Sequence, residues 1–248
     1  GMGQELAASF PEAREILQQV DDALSQNLSK LMAQGPEEEL TLTQNAQPAL
    51  MAASMAVMAV LQKQAGISVA SHAAYVAGHS LGEYTALTAA GALDLGDAAR
   101  ILKLRGQAMQ RAVPVGMGGM AAILGLSLEE VQAIAKESSG AEICQAANDN
   151  SVGQVVISGH KGAVEAAIAL AQTRGAKRAV SLPVSAPFHC KLMEPAAREM
   201  QEALAQITLR KPVVPLVANV SAQAVDDPAL IKKLLVEQVT GMVRWRES

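Results

Sequence analysis

Aromatic side chains are scarce in this chain: its 248 residues include one Trp, two Tyr and two Phe. A core built on large rings is excluded, and small or flexible side chains, Ala and the 11 Met, have to fill it by packing closely along helices. Cysteine is nearly absent too. Cys144 and Cys190 stand far apart with no CxxC spacing, which argues against a disulfide framework and a zinc site and suits a reducing compartment. Charge of one sign is not in excess: 20 Lys and Arg against 24 Asp and Glu give a net charge of −4, so nothing draws the whole chain toward nucleic acid or an anionic membrane. An anionic partner needs a local patch. The longest apolar stretch, Pro48 to Leu61, is too short to span a bilayer and runs into Gln62-Lys63-Gln64, so it reads as a buried helix. No signal or transit sequence opens the chain, and cytoplasmic residence is the expectation.

Half of the residues are apolar, enough for one large core or for a core plus a smaller domain. Apolar periodicity predicts helices over Glu12 to Leu31 and Pro48 to Gln64, an extended segment over Ala73 to Ala77, and helices over Leu81 to Ala90, stopped by Gly91, and Leu95 to Ala112. The texture changes at Gly116. Strands are expected over Gly119 to Leu124, Ile143 to Ala147, Gln154 to Ser158 and Arg178 to Val184. Between them lie a helix capped by Ser127 and a helix over Lys161 to Thr173, closed by Gly175. This β-α-β-β-α-β order is the split βαβ, or ferredoxin-like, plan. The chain is therefore read as α/β, with a large domain over residues 1–115 and 185–248 and an inserted small subdomain over 116–184. The large domain resumes with a helix over Glu194 to Ile207, a strand over Val213 to Asn219 and a helix over Pro228 to Val239.

Gly78-His79-Ser80-Leu81-Gly82 lies between an extended segment and a helix. In such a Gly-x-Ser-x-Gly elbow the glycines permit a sharp reversal, which leaves the Ser hydroxyl exposed at a helix N-terminus and the next N–H, that of Leu81, available to an oxyanion. A serine nucleophile needs a base, and the chain offers four histidines. His79 sits on the elbow with its side chain expected to point elsewhere, and His72 and His160 occupy polar loop-like settings. His189 remains, after Ser185-Ala186-Pro187-Phe188, where the inserted unit rejoins the large domain; an ordinary hydrogen-bonded histidine is the competing reading. Neither Asp149 nor Glu165 lies at a convincing strand end to act as a triad acid, but a backbone or side-chain carbonyl serves equally to accept the Nδ1 hydrogen. Arg105 stands among apolar helix positions beside Gly106. If buried it demands an anion, and its planar fork suits a substrate carboxylate; a structural salt bridge or a solvated helix face is the alternative.

Four ordered motifs, Gly-His-Ser-Leu-Gly-Glu at 78–83, Arg-Gly-x-x-Met-Gln at 105–110, Gly-Gln-Val-Val-Ile-Ser-Gly-His at 153–160 and Pro-Phe-His at 187–189, resemble the malonyl-CoA:acyl carrier protein transacylases, the acyl transferase family of fatty-acid synthesis. The likeness covers essentially the whole chain. It implies an α/β-hydrolase-like large domain with an inserted ferredoxin-like small domain. It also implies Ser80 as nucleophile, His189 as general base and acid, Leu81 as an oxyanion donor, Arg105 as the clamp on the malonyl carboxylate, and Gln238 as the residue whose carbonyl orients the histidine. Asn150 and, more loosely, Gln47 match pocket positions. Phe188 resembles the malonyl-selective version of its motif, because its ring crowds the carbon that bears the methyl group of methylmalonyl substrates; one methylene is worth only about 1–3 kcal/mol there. The family usually begins with a strand and a Gly-Gln-Gly-Ser-Gln loop that supplies a second oxyanion donor, and ends with a further strand and helices. The sequence given has neither, as if native residues were omitted or the gene product were shortened.

The resemblance implies ping-pong transfer of a malonyl group from malonyl-CoA to the phosphopantetheine thiol of acyl carrier protein, with no tightly bound cofactor, no metal, and no nucleic acid or membrane partner. Lys177-Arg178 is a candidate patch for an acidic carrier, with a solvated turn as its alternative. Three other readings stay open: a serine thioesterase or esterase, which has no use for Arg105; a non-catalytic homologue that only binds carrier or CoA; and the acyltransferase domain of a polyketide synthase.

Overall fold

The computed structural model describes residues 2–248. In chain order its elements are α1 (Gln4–Ser9), α2 (Pro11–Leu24), α3 (Leu28–Gln34), α4 (Glu37–Leu40), α5 (Thr43–Ala65), α6 (Val69–His72), β1 (Val76–Ala77), α7 (Gly82–Ala89) and α8 (Leu95–Ala112). There follow β2 (Gly118–Leu124), α9 (Leu128–Ser139), β3 (Cys144–Ser151), β4 (Gln154–His160), α10 (Lys161–Thr173), β5 (Arg178–Ser181), α11 (Glu194–Gln206), β6 (Leu216–Ala218), β7 (Gln223–Val225) and α12 (Pro228–Thr240). The chain divides into two compact units. One comprises Gly1–Gln107, Glu202–Val217 and Ala224–Lys232, the other Ala108–Gln201, Ala218–Gln223 and Lys233–Ser248.

In the first unit α2 packs along α5. Ala13, Leu17 and Val20 recur at helical spacing on the buried face of α2, and α5 buries Met51 and the small Ala49, Ala52 and Ala56, the alanines letting helices approach closely. The single helix expected over Glu12 to Leu31 is in fact two, α2 and α3. Ser25 turns left-handed at φ 47°, Asn27 accepts the Lys30 N–H at 3.1 Å, and Asp21 accepts the Ser29 N–H at 2.8 Å. Such short polar side chains offer the backbone a local alternative to the helix. Strand β1 pairs in parallel with β6, Val76 opposite Leu216 and Ala77 opposite Val217. Both are shorter than the expected 73–77 and 213–219: Ala73 still caps α6 with its N–H on the Val69 carbonyl, and Pro215, which has no N–H to give, stands just before β6. The sheet order is β1-β6-β7. The elbow follows β1 directly and opens α7, which ends at Gly91 with φ 72°.

The second unit holds the four-stranded sheet, ordered β3-β4-β2-β5 with every pair antiparallel, and two helices, α9 and α10, pack on it. This is the ferredoxin-like plan. Ser127 and Glu130 form a capping box at the start of α9. Ala121, Ile123, Val155 and Ile157 from the strands bury against Val131, Ile134, Ala163, Val164 and Ala167 from the helices. Each fully buried Ile contributes about 1.5–3 kcal/mol. On other positions of the sheet Met120, Ala147 and Val156 form a small cluster that receives Phe188. Strand β3 runs beyond its expected end at Ala147 to Ser151. Strand β4 pairs with it that far, Asn148 opposite Val156 and Asp149 opposite Val155, and a second partner adds bonds: Val243 N–H donates to the Ala147 carbonyl at 2.8 Å, Asp149 N–H to Val243 at 2.9 Å and Arg246 N–H to Asp149 at 2.8 Å. Among the described residues no helix is long and apolar enough to cross a membrane.

Candidate active site

Ser80 sits at φ 54°, in the left-handed region that a non-glycine residue enters only under constraint. The constraint is the elbow itself. A Cβ on Gly78 would collide with the Gly82 carbonyl, so glycine alone permits the close approach, and the turn is closed by Gly82 N–H to His79 O at 2.9 Å and Glu83 N–H to Ser80 O at 3.1 Å. Leu81 is the N-cap of α7, which places its N–H in the first turn, where helix N–H groups lack intrahelical acceptors and carry the positive end of the helix dipole.

Arg105 comes to this serine from α8 and is 1% exposed. Its Nη2 donates to Ser80 Oγ at 3.1 Å and its Nη1 to Gln47 Oε1 at 2.7 Å. Gly106 makes the arrangement possible: a Cβ there would stand 2.5 Å from the Thr43 carbonyl oxygen and 2.6 Å from Gln44 Cα, so α8 can lie against the start of α5, where Gln47 sits. The guanidinium lies over the Tyr84 ring, 5.7 Å from its centroid. Burial lowers the Arg105 pKa from its ordinary value, opposed in smaller measure by Tyr84 and buried Glu83, and burial pushes the Tyr84 hydroxyl up to about 12. A buried, largely desolvated guanidinium fork beside a serine hydroxyl is a ready receptor for a short acyl group that carries its own carboxylate.

In the second unit His189 also takes a left-handed backbone, φ 58°, and is 4% exposed. Its Nδ1 lies 2.8 Å from the Gln238 backbone carbonyl. A carbonyl only accepts, so Nδ1 carries the hydrogen. Gln238 belongs to the last turn of α12, whose terminal carbonyls have no intrahelical donor and carry the negative end of the helix dipole. The contact therefore orients the ring. Phe188 packs on Met120, Ala147 and Val156, and Asn150 lies half-buried near the end of β3.

The remaining candidates have local work. Asp149, 1% exposed, pairs with Arg246 at 2.9 Å, and Glu165 lies on the surface 3.9 Å from Lys161. His160 Nδ1 accepts the Ile143 N–H at 2.9 Å, and exposed His72 lies 2.8 Å from the Ser71 hydroxyl. Among the described residues no group of three or more His, Cys, Asp or Glu is placed to hold a metal ion. Sequence reasoning missed Tyr84 and Glu83, although both directly follow the elbow glycine on an otherwise apolar helix, and it missed Asn219, wholly buried after β6, which has no motif to announce it.

A family model described as the acyl transferase domain matches residues 1–248. The malonyl CoA-acyl carrier protein transacylase of Salmonella typhimurium is 46% identical over 248 residues, 100% of this chain and 79% of that one. Among solved structures, an acyl-carrier-protein-S-malonyltransferase from Bartonella henselae matches with a TM-score of 0.97 at 55% identity, over 100% of this chain and 78% of that one. A malonyl-transacylase solved in complex with its type II polyketide acyl carrier protein matches with a TM-score of 0.95 at 43% identity, over 99% of this chain and 78% of that one. A family match from end to end, joined to relatives this similar over more than three-quarters of their length, leaves one conclusion: the chain belongs to the acyl transferase domain family.

Proposed function

We propose that this chain is a malonyl-CoA:acyl carrier protein S-malonyltransferase of fatty-acid biosynthesis. The observation that carries the reading is the pair of bonds from Arg105, to Ser80 Oγ at 3.1 Å and Gln47 Oε1 at 2.7 Å, in a chain of this family. An ester on Ser80 whose acyl group ends in a carboxylate two carbons away brings that carboxylate to the same guanidinium, with Gln47 holding the fork from its other side.

In the first half-reaction His189 Nε2 takes the Ser80 proton, Oγ attacks the thioester carbonyl of malonyl-CoA, and the oxyanion is met by the Leu81 N–H. Collapse breaks the C–S bond, the imidazolium returns its proton to the CoA sulfur, and a malonyl-serine ester remains. In the second, the phosphopantetheine thiol of acyl carrier protein gives its proton to His189 and attacks that ester; collapse breaks the C–O bond, the imidazolium returns the proton to Ser80 Oγ, and malonyl-thioester and free Ser80 result. The Gln238 carbonyl supports the imidazolium in both steps, and Arg105 fixes the acyl group between them. Phe188 and Asn150 are assigned to the acyl pocket. Malonyl-CoA is a substrate and no tightly bound cofactor is invoked. The inserted subdomain is assigned to residues 116–184, the larger domain to 1–115 and 185–248, and the place of action to the cytoplasm. A related malonyl-transacylase bound to a polyketide carrier supports a second destination for the same chemistry, a polyketide acyl carrier protein.

Initial rates with malonyl-CoA and holo acyl carrier protein should give parallel double-reciprocal lines. Arg105→Ala should lose malonyl transfer by about 100-fold or more, as expected when a buried carboxylate loses its charged partner, while acetyl transfer is spared. Converging lines would contradict the covalent ping-pong route, and release of free malonate that Arg105→Ala leaves intact would instead indicate a hydrolase.

A further inference from the structure

Two buried amides meet at the end of α12. Gln238 and Asn219 are each 0% exposed, and Gln238 Nε2 donates to Asn219 Oδ1 over a long 3.4 Å. Wholly buried amides are uncommon, and a chain keeps them where their hydrogen bonds fix something. What is fixed here is the helix end that receives the His189 imidazole, since the Gln238 main-chain carbonyl is the acceptor of the Nδ1 hydrogen. A last helical turn left to itself frays, because its carbonyls lack partners.

Asn219 is held firmly enough to serve as an anchor. It follows β6 in a tight turn closed by Ala222 N–H to Ala218 O at 2.8 Å, with Ala222 in the left-handed region at φ 53°. Its own carbonyl accepts the Arg244 N–H at 2.9 Å, so one residue ties both sides of the helix end: Gln238 within the last turn and Arg244 after it. Between them Gly241 comes so close to Val220 that a Cβ would stand 2.9 Å from its Cγ1.

We propose that Asn219 is a positioning residue for the general base: by holding the Gln238 side chain it sets the aim of the Gln238 carbonyl and thereby the tautomer and orientation of His189. The proposal rests on His189 acting as base in acyl transfer, but the geometry it concerns is measurable without turnover.

The test is the imidazole 15N spectrum of protein labelled at histidine, with the His189 signals assigned by their loss in His189→Ala, alongside malonyl loading from malonyl-CoA. In the wild type His189 should be the Nδ1–H tautomer. Asn219→Leu, close in shape but with no acceptor, and Gln238→Leu should each give a tautomer mixture and slow loading about tenfold, with KM for malonyl-CoA within about twofold. The double variant should be no worse than either single one, as for residues acting in one chain of contacts. Asn219→Asp, which keeps the acceptor, should restore the wild-type tautomer. A folded Asn219→Leu or Gln238→Leu with an unchanged His189 spectrum overturns the proposal, as does additivity in the double variant. If Asn219→Leu does not fold, Gln238→Leu and Asn219→Asp decide on the same spectrum. Failure of the wild type to load malonate, with the tautomer pattern as described, would count against the acyl-transfer reading and not against the role of Asn219.

Discussion

Burial holds two acidic hydrogens of this chain in place well into the alkaline range. The Cys144 thiol and the Tyr84 hydroxyl are both pushed up to about 12, from ordinary values of 9.0 and 10.0, chiefly because the interior disfavours their charged forms. The unfolded chain releases these protons from about pH 9 upward while the folded chain retains them, so the unfolded state binds fewer protons and stability falls as pH rises. The contribution is full below pH 9 and is lost on the way to 12. The urea midpoint should be flat between pH 7 and 8.5 and fall between pH 9 and 11, with a shallower fall in Cys144→Ala; a midpoint that rises over that range contradicts the assignment. Other residues were legible without any structure. Ser80 announced itself by its glycines, and Arg105 by being a cation among apolar helix positions. The Gln238 carbonyl could not be read from the residues alone, because every residue has one, and only its place in the last turn of α12 makes it special. Gln47 has the same difficulty: 58 positions separate it from Arg105, and no local pattern links them.

At the scale of elements, the site is a product of close approaches. Helix α8 reaches the start of α5 only because Gly106 has no side chain, its nearest neighbours being the backbone of Thr43 and Gln44 and not flexible side-chain ends. Gly106→Ala must therefore push the helices apart, and Arg105 with them. Malonyl loading should fall at least tenfold and Tm should drop, whereas Gly91→Ala, with open space around its Cβ, should cost stability through its φ of 72° and leave loading nearly intact. Equal losses of loading in the two variants would refute this division. Elements with strong punctuation were readable in advance: α8 and α10 run as periodicity and capping signals predict, and Ser127 starts α9 as a capping box should. Misreadings occur where partners distant in sequence decide the outcome. Strand β4 and the residues 243–246 segment together carry β3 through Asn148-Asp149-Asn150, Pro215 trims β6, and the polar contacts of Asp21 and Asn27 break one expected helix into two.

For the molecule as a whole, the residues assigned to the proposed mechanism come from both compact units: Ser80, Leu81, Arg105 and Gln47 from one, His189, Gln238, Phe188 and Asn150 from the other. The family match runs the length of the chain, through both units. The net charge of −4 leaves recognition of an acidic carrier protein to local features and not to the overall field. The proposed mechanism requires that Ser80 accept the malonyl group covalently. Intact mass after brief exposure to malonyl-CoA tests it most directly, with peptide mapping and Ser80→Ala alongside. A single malonyl adduct on the Ser80 peptide of the wild type, absent from Ser80→Ala and discharged by holo acyl carrier protein, is the result this account predicts; an unmodified wild type with the CoA thioester intact, or an adduct that persists in Ser80→Ala, would contradict it.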